Sequence, residues 1–157
     1  MSQAQWMEEA FALAEEAGAE GEIPIGAVVV DRDGTIIGRG RNRRQSGDPL
    51  GHAEMYAIAE AARAIGGWRL DGTTMVVTLE PCAMCAGALV NARVERLIFA
   101  APDPKAGFCG SLGNLAQDPR LNHRLEVISG VEEQRSRDLL QQFFRTLRTR
   151  TERWQSG

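Results

Sequence analysis

The stretch MVVTLEPCAMC, residues 75–85, does most to limit the fold, because it runs a strand directly into a helix start that carries two cysteines. MVVTL is rich in apolar and β-branched residues, as expected of a strand buried in a sheet. Pro81 suits the first helical position, where its missing N–H costs nothing. A strand that hands its chain to a helix bearing reactive side chains belongs in an open α/β sheet, whose carboxyl edge is the usual ligand crevice.

The neighbouring segments agree. Trp6, Ala10, Leu13, Ala14 and Ala17 recur at helical spacing and predict an amphipathic helix over residues 3–17. IGAVVV (25–30), the Asp33-Gly34 turn and TIIGRGR read as a hairpin. A helix then starts near His52, and a second runs from Cys82 to about Asn91. RLIFAA (96–101) and LEVIS (125–129) supply two more strands, and Leu139, Leu140, Phe143, Phe144 and Leu147 form the apolar stripe of a last helix. The result is an α/β sheet of about five strands with helices on both faces. Residues 102–123 exceed an ordinary loop and hold three prolines and three glycines, which suggests a substrate lid.

At 157 residues the chain has the length of one domain, taken as 1–157. No apolar run approaches the ~18 residues of a membrane span, and the first twenty residues lack the pattern of a signal peptide. Three cysteines, an odd number, argue for a reduced, cytoplasmic setting. The net charge of −3 is unevenly spread. Residues 1–22 hold six glutamates and no base, so the remainder carries +3, and all its bases but Lys105 are arginines. Arginine favours phosphate contacts; Arg39, Arg41, Asn42, Arg43 and Arg44 crowd one strand end, either to bind phosphate or as a solvated edge.

HAEMYAIAEAARA, residues 52–64, begins with two residues foreign to a core. Positions two apart on a helix face opposite ways, so His52 and Glu54 can share a site only if His52 precedes the regular helix. Cys82 and Cys85 can direct both sulfurs to one ion, and the helix amino end favours thiolates. One imidazole and two thiolates leave a tetrahedral zinc with an open position, the mark of a catalytic site, and Glu54 beside it is a general base. A thioredoxin-like redox pair is the competing reading of the cysteines, but it leaves His52 and Glu54 unexplained.

His-x-Glu followed by Pro-Cys-x-x-Cys resembles the signature of the zinc-dependent nucleobase deaminases. IPIGAVVV, GRGRN, DPLGHAEM, TLEPCAMCAGAL, DPKAGFCGSL, NHRLEV and LLQQFFR extend the resemblance over most of the chain and narrow it to the tRNA-specific adenosine deaminases. The resemblance implies a three-layer α/β/α, cytidine-deaminase-like fold with a mixed sheet of about five strands. It also implies one Zn2+ per chain, a cytoplasmic homodimer, and conversion of adenosine to inosine at the wobble position of a tRNA anticodon stem-loop. Glu54 would shuttle protons between water, ring nitrogen and departing ammonia. Asn42 would bind the target base, and Asp103, Lys105, Phe144 and Arg145 match positions that contact the anticodon loop. Leu50-Gly51 and Phe108-Cys109 depart from the family pattern. The other readings are a deaminase of a free base or nucleoside such as guanine or cytosine, and a zinc module that only binds RNA. Glu54 opposes the last, since a structural ion needs no neighbouring base.

Overall fold

A computed structural model describes the backbone of residues 1–156 and the side chains of residues 1–150; Gly157 lies outside the described residues. The chain runs α1 (Gln3–Ala19), β1 (Gly26–Val30), β2 (Ile36–Arg41), α2 (Ala53–Ile65), β3 (Thr74–Leu79), α3 (Ala83–Asn91), β4 (Arg96–Ala101), β5 (Glu126–Ser129) and α4 (Glu133–Ser156). The sheet order is β2-β1-β3-β4-β5. β1 is antiparallel to both β2 and β3, while β4 is parallel to β3 and β5 to β4. The mixed five-stranded sheet agrees with the sequence reading.

Strand alternation divides the core into two layers. Ala27, Val29, Met75, Val77, Leu97 and Phe99 pack with α2 and α3, whereas Val28, Val30, Val76, Ile98 and Ala100 pack with α1. The α1 stripe is turned slightly from the sequence expectation. Met7 and Phe11 are fully buried with Ala10, Ala14 and Ala17, while Trp6 and Leu13 lie at the margin. A capping box between Ser2 and Gln5 starts this helix.

On the other face α2 lies against β2 with little between their backbones. A Cβ at Gly38 would stand 2.2 Å from the Ala57 carbonyl oxygen, and one at Gly40 would stand 2.0 Å from that of Ala53. The alanines at 53, 57 and 61 therefore serve this internal contact. It holds the first turn of α2 directly over the end of β2.

The segregated acid of α1 also has internal partners. Arg41 pairs with Glu16 and Glu20, and Arg135 of α4 pairs with Glu8 and Glu15 while lying 4.3 Å from the Phe11 ring centre. Ser136 donates to the Thr78 carbonyl and ties the same turn of α4 to β3. The predicted stripe on α4 is only half-buried: Leu139 meets the core, whereas Phe144 and Leu147 are 40% and 46% exposed. No helix among the described residues is long and apolar enough to cross a membrane.

Candidate active site

Four strands end on one edge of the sheet. β2 and β3 both run opposite to β1, β4 runs with β3 and β5 with β4, so Asn42, Glu80 and Pro102 follow three of these carboxyl ends. Ile23 and Ile25 approach the same edge ahead of β1. Together with α4 these segments enclose a cavity of about 560 Å³, lined by Asn42, Arg44, His52, Glu54, Cys82, the 102–106 segment, Leu140 and Phe144 among others. Its position follows from the connection between strands, as expected of an open α/β sheet.

Both donor-bearing helices place a residue just before their first turn. His52 caps α2 with extended backbone, φ −91° and ψ 145°, and this non-helical start puts it on the same site as Glu54. Cys82 caps α3, also extended at φ −73° and ψ 179°, so Pro81 precedes the cap and is not the first helical residue. Cys85 lies within the first turn and is fully buried.

His52 Nδ1 stands 3.4 Å from Cys82 Sγ and 3.4 Å from Cys85 Sγ. The three donor atoms lie within 4.8 Å of one another, and they form a group able to hold a metal ion. A tetrahedral ion bonded at about 2.3 Å to sulfur and 2.0 Å to nitrogen separates those atoms by about 3.5 Å, so the spacing fits. The donor chemistry fits as well. Cys85 hydrogen-bonds the Cys82 thiol and draws it down to about 4 against the effect of burial, with His52 and the Cys85 N–H assisting. The same hydrogen bond, burial and the Glu54 charge raise Cys85. A cation would favour both thiolates together.

Glu54, only 4% exposed, lines the cavity beside this group. Burial raises its carboxyl from 4.5 to about 7, opposed by its own backbone N–H and the His52 charge. A carboxyl near neutrality can accept and release a proton in one turnover. Asn42, equally buried, uses its backbone N–H on the Ile25 carbonyl and is among the residues that line the cavity. Its side-chain amide carries both donors and an acceptor.

The rims are held by carboxylates. Glu22, a buried residue not singled out from sequence, accepts the N–H groups of Gln45 and Ser46 at 2.8 and 3.1 Å and secures the turn that carries Arg44. Asp48 accepts from Tyr56 and from the Leu50 N–H, bracing the approach to His52. Opposite them, Glu80 accepts from Asp103, Cys109 and Ser111. Residues 102–123 are accordingly not the free lid expected from their length: they fold around Glu80, and Cys109 and Ala116 are buried in the core. The signal for Glu80 was a charged residue at the end of a buried strand.

The other sequence candidates divide. Asp103, Lys105 and Phe144 line the cavity, but one Asp103 oxygen already accepts from the Lys105 and Ala106 N–H groups. Arg145 lies outside it, in an adjoining groove with Lys105, Phe144 and Arg148. Of the arginine run only Arg44 reaches the cavity; Arg41 is engaged by α1, and Arg43 lies over the Tyr56 ring at 5.3 Å. His123 bonds the Val94 carbonyl instead.

Residues 1–148 match the family model of the MafB19-like deaminases. The chain is 51% identical over 144 residues to the tRNA-specific adenosine deaminase of Bacillus subtilis, covering 91% of this chain and 89% of that one. It superposes with a TM-score of 0.82 on a solved tRNA:A34 deaminase that performs A-to-I editing at the wobble position, at 43% identity over 87% of this chain and 99% of the other. The guanine deaminase of Nitrosomonas europaea shares the fold, with a TM-score of 0.78 at 24% identity over 90% and 84% of the two chains.

Proposed function

This chain belongs to the tRNA-specific adenosine deaminase family, and on that premise we propose that it hydrolyses adenosine to inosine at the wobble position of a tRNA anticodon loop. The observation that carries the reading is a buried carboxyl, Glu54, set beside a His52/Cys82/Cys85 group in a cavity of about 560 Å³. His52, Cys82 and Cys85 would hold one zinc ion per chain. Zinc in such a site supplies a water acidified towards a pKa of about 7.

The remaining steps fall to the chain. Glu54 takes the proton of the water that attacks C6 of adenine. It then returns protons to the ring nitrogen and to the amino group, which leaves as ammonia, so that one water is consumed and one ammonia released. Asn42 orients the base through its amide. Ile25, Leu79 and Phe144 supply apolar lining for an unstacked base. Lys105 and Arg145, at the groove beyond, face the flanking phosphates. Homodimeric assembly and a cytoplasmic setting accompany the family reading.

Incubation with an anticodon stem-loop bearing a wobble adenosine, followed by nucleoside analysis, tests the proposal. Inosine should form there, while free adenosine, cytidine and guanine turn over poorly. Efficient turnover of free guanine or cytidine without inosine in the stem-loop would replace it with a free-base deaminase on the same site.

A further inference from the structure

We propose that Glu80 is a positioning residue for substrate binding: its carboxylate holds the 102–106 rim against the cavity without touching the reacting atoms. The proposal rests on the tRNA deaminase reading for its substrate. Its basis is the distribution of donors around one side chain.

Glu80 follows β3 and is 3% exposed. Its Oε1 accepts the Asp103 N–H at 2.9 Å and the Ser111 hydroxyl, and its Oε2 accepts the N–H groups of Cys109 and Ser111, each at 3.0 Å. Four donors from one irregular loop thus converge on two oxygens. Gly107 is what permits the approach: a Cβ there would stand 2.3 Å from Glu80 Cδ and 2.6 Å from the Asp103 carbonyl oxygen. The Asp103 end of the loop begins the rim, where the Asp103 side chain caps the Lys105 and Ala106 N–H groups. Lys105 borders both the cavity and the groove on α4. A carboxylate that fixes Asp103 therefore fixes the direction from which Lys105 meets a bound nucleotide strand.

Amide chemistry offers a selective test. In Glu80→Gln the amide oxygen should occupy the Oε2 place, because both donors there are backbone N–H groups that cannot turn. The amide NH2 then faces Ser111, whose hydroxyl can rotate to accept, and the Asp103 N–H, which cannot. Only the rim contact is orphaned. The variant should bind one metal ion per chain and keep kcat for the stem-loop, while KM rises about tenfold, the effect of one charge-assisted hydrogen bond. Hydrogen exchange at the Asp103 amide should accelerate in the absence of substrate.

Gly107→Ala should reproduce the KM rise by displacing the carboxylate sterically, and Ser111→Ala, which keeps the Ser111 N–H, should raise KM less. These two variants carry the test if Glu80→Gln does not fold. Unchanged KM with a lowered melting temperature would overturn the proposal, reducing Glu80 to a stability role. Loss of metal together with kcat would overturn it in favour of a role in holding Cys82. Faster exchange at Asp103 in a chain whose parent makes no inosine would leave the rim contact standing and dismiss the tRNA substrate.

Discussion

Glu54 at the start of α2 and Glu80 at the end of β3 are almost equally hidden, at 4% and 3% exposure, yet their carboxyls lie on opposite sides of the ordinary value. Burial is the largest influence on each. It raises Glu54 to about 7, where its own N–H and the His52 charge oppose it only partly. At Glu80 the Ser111 hydroxyl and three backbone N–H groups outweigh its own burial penalty and hold the carboxyl low. The balance of donors against desolvation decides whether a buried acid can exchange protons or only accept hydrogen bonds. One carboxyl is thus able to exchange a proton near neutrality, while its neighbour is held ionised.

The largest effect should come from removing the floor that Glu54 serves. Cys82→Ala and Cys85→Ala should each lower metal content from one ion per chain towards none and abolish inosine formation, as measured by elemental analysis and stem-loop turnover. Full metal content with full activity in either variant would dissolve the assignment. Next, Glu54→Gln should retain the ion and the fold but lose at least ~10²-fold in kcat, the loss expected for a general acid/base. A variant that turned over normally would erase the functional contrast between the two glutamates.

The Glu54 side of this contrast was legible in the sequence, and the Glu80 side largely was not. His52, Cys82 and Cys85 are donor types that ordinary helix starts do not need, and the helix period alone required His52 to precede the regular turn, as it does. The sheet was legible too, because strands buried on both faces read as short continuous runs of apolar, β-branched residues. Glu80 stood in plain view before Pro81, but its partners come from 23 to 31 residues further along an irregular loop with no period to reveal them. For the same reason that loop read as a lid. Arg41 read as either a phosphate ligand or a solvated edge residue because its partners, Glu16 in α1 and Glu20 at that helix's C-cap, are brought near only by the fold.

Outside both carboxylates lies the groove of α4, where charges are exposed and effects should be milder. Arg145→Glu and Arg148→Glu should raise KM for the stem-loop several-fold and leave kcat and metal content unchanged. Each should also reduce the log-log salt slope of binding by about 0.7, the value for one phosphate contact on a single strand. An unaltered slope would place the RNA elsewhere on the surface.

The smallest expected effect extends the lesson of the two glutamates to an acid where burial matters little. The Tyr56 hydroxyl and the Leu50 N–H hold the Asp48 carboxyl below 3.8 against slight desolvation. If donors set the direction, Tyr56→Phe should move Asp48 upward in an NMR titration, with the Leu50 contact preserving part of the shift. The stability consequence has a definite sign. An acid held low in the folded state binds fewer protons there than in the unfolded chain, so its contribution is present above the ordinary value of 3.8 and is lost as pH falls through the folded value. Glu8, lowered by Arg135, and Glu20, lowered by Arg41, act in the same direction from an ordinary value of 4.5. The urea midpoint of the parent chain should therefore fall between about pH 5 and pH 2.5, and Tyr56→Phe should be less stable than the parent at pH 7 by more than it is at pH 2.5. An equal deficit at both pH values would mean that Tyr56 stabilises the approach to His52 through ring packing alone, including its contact with Arg43, and not through the Asp48 carboxylate.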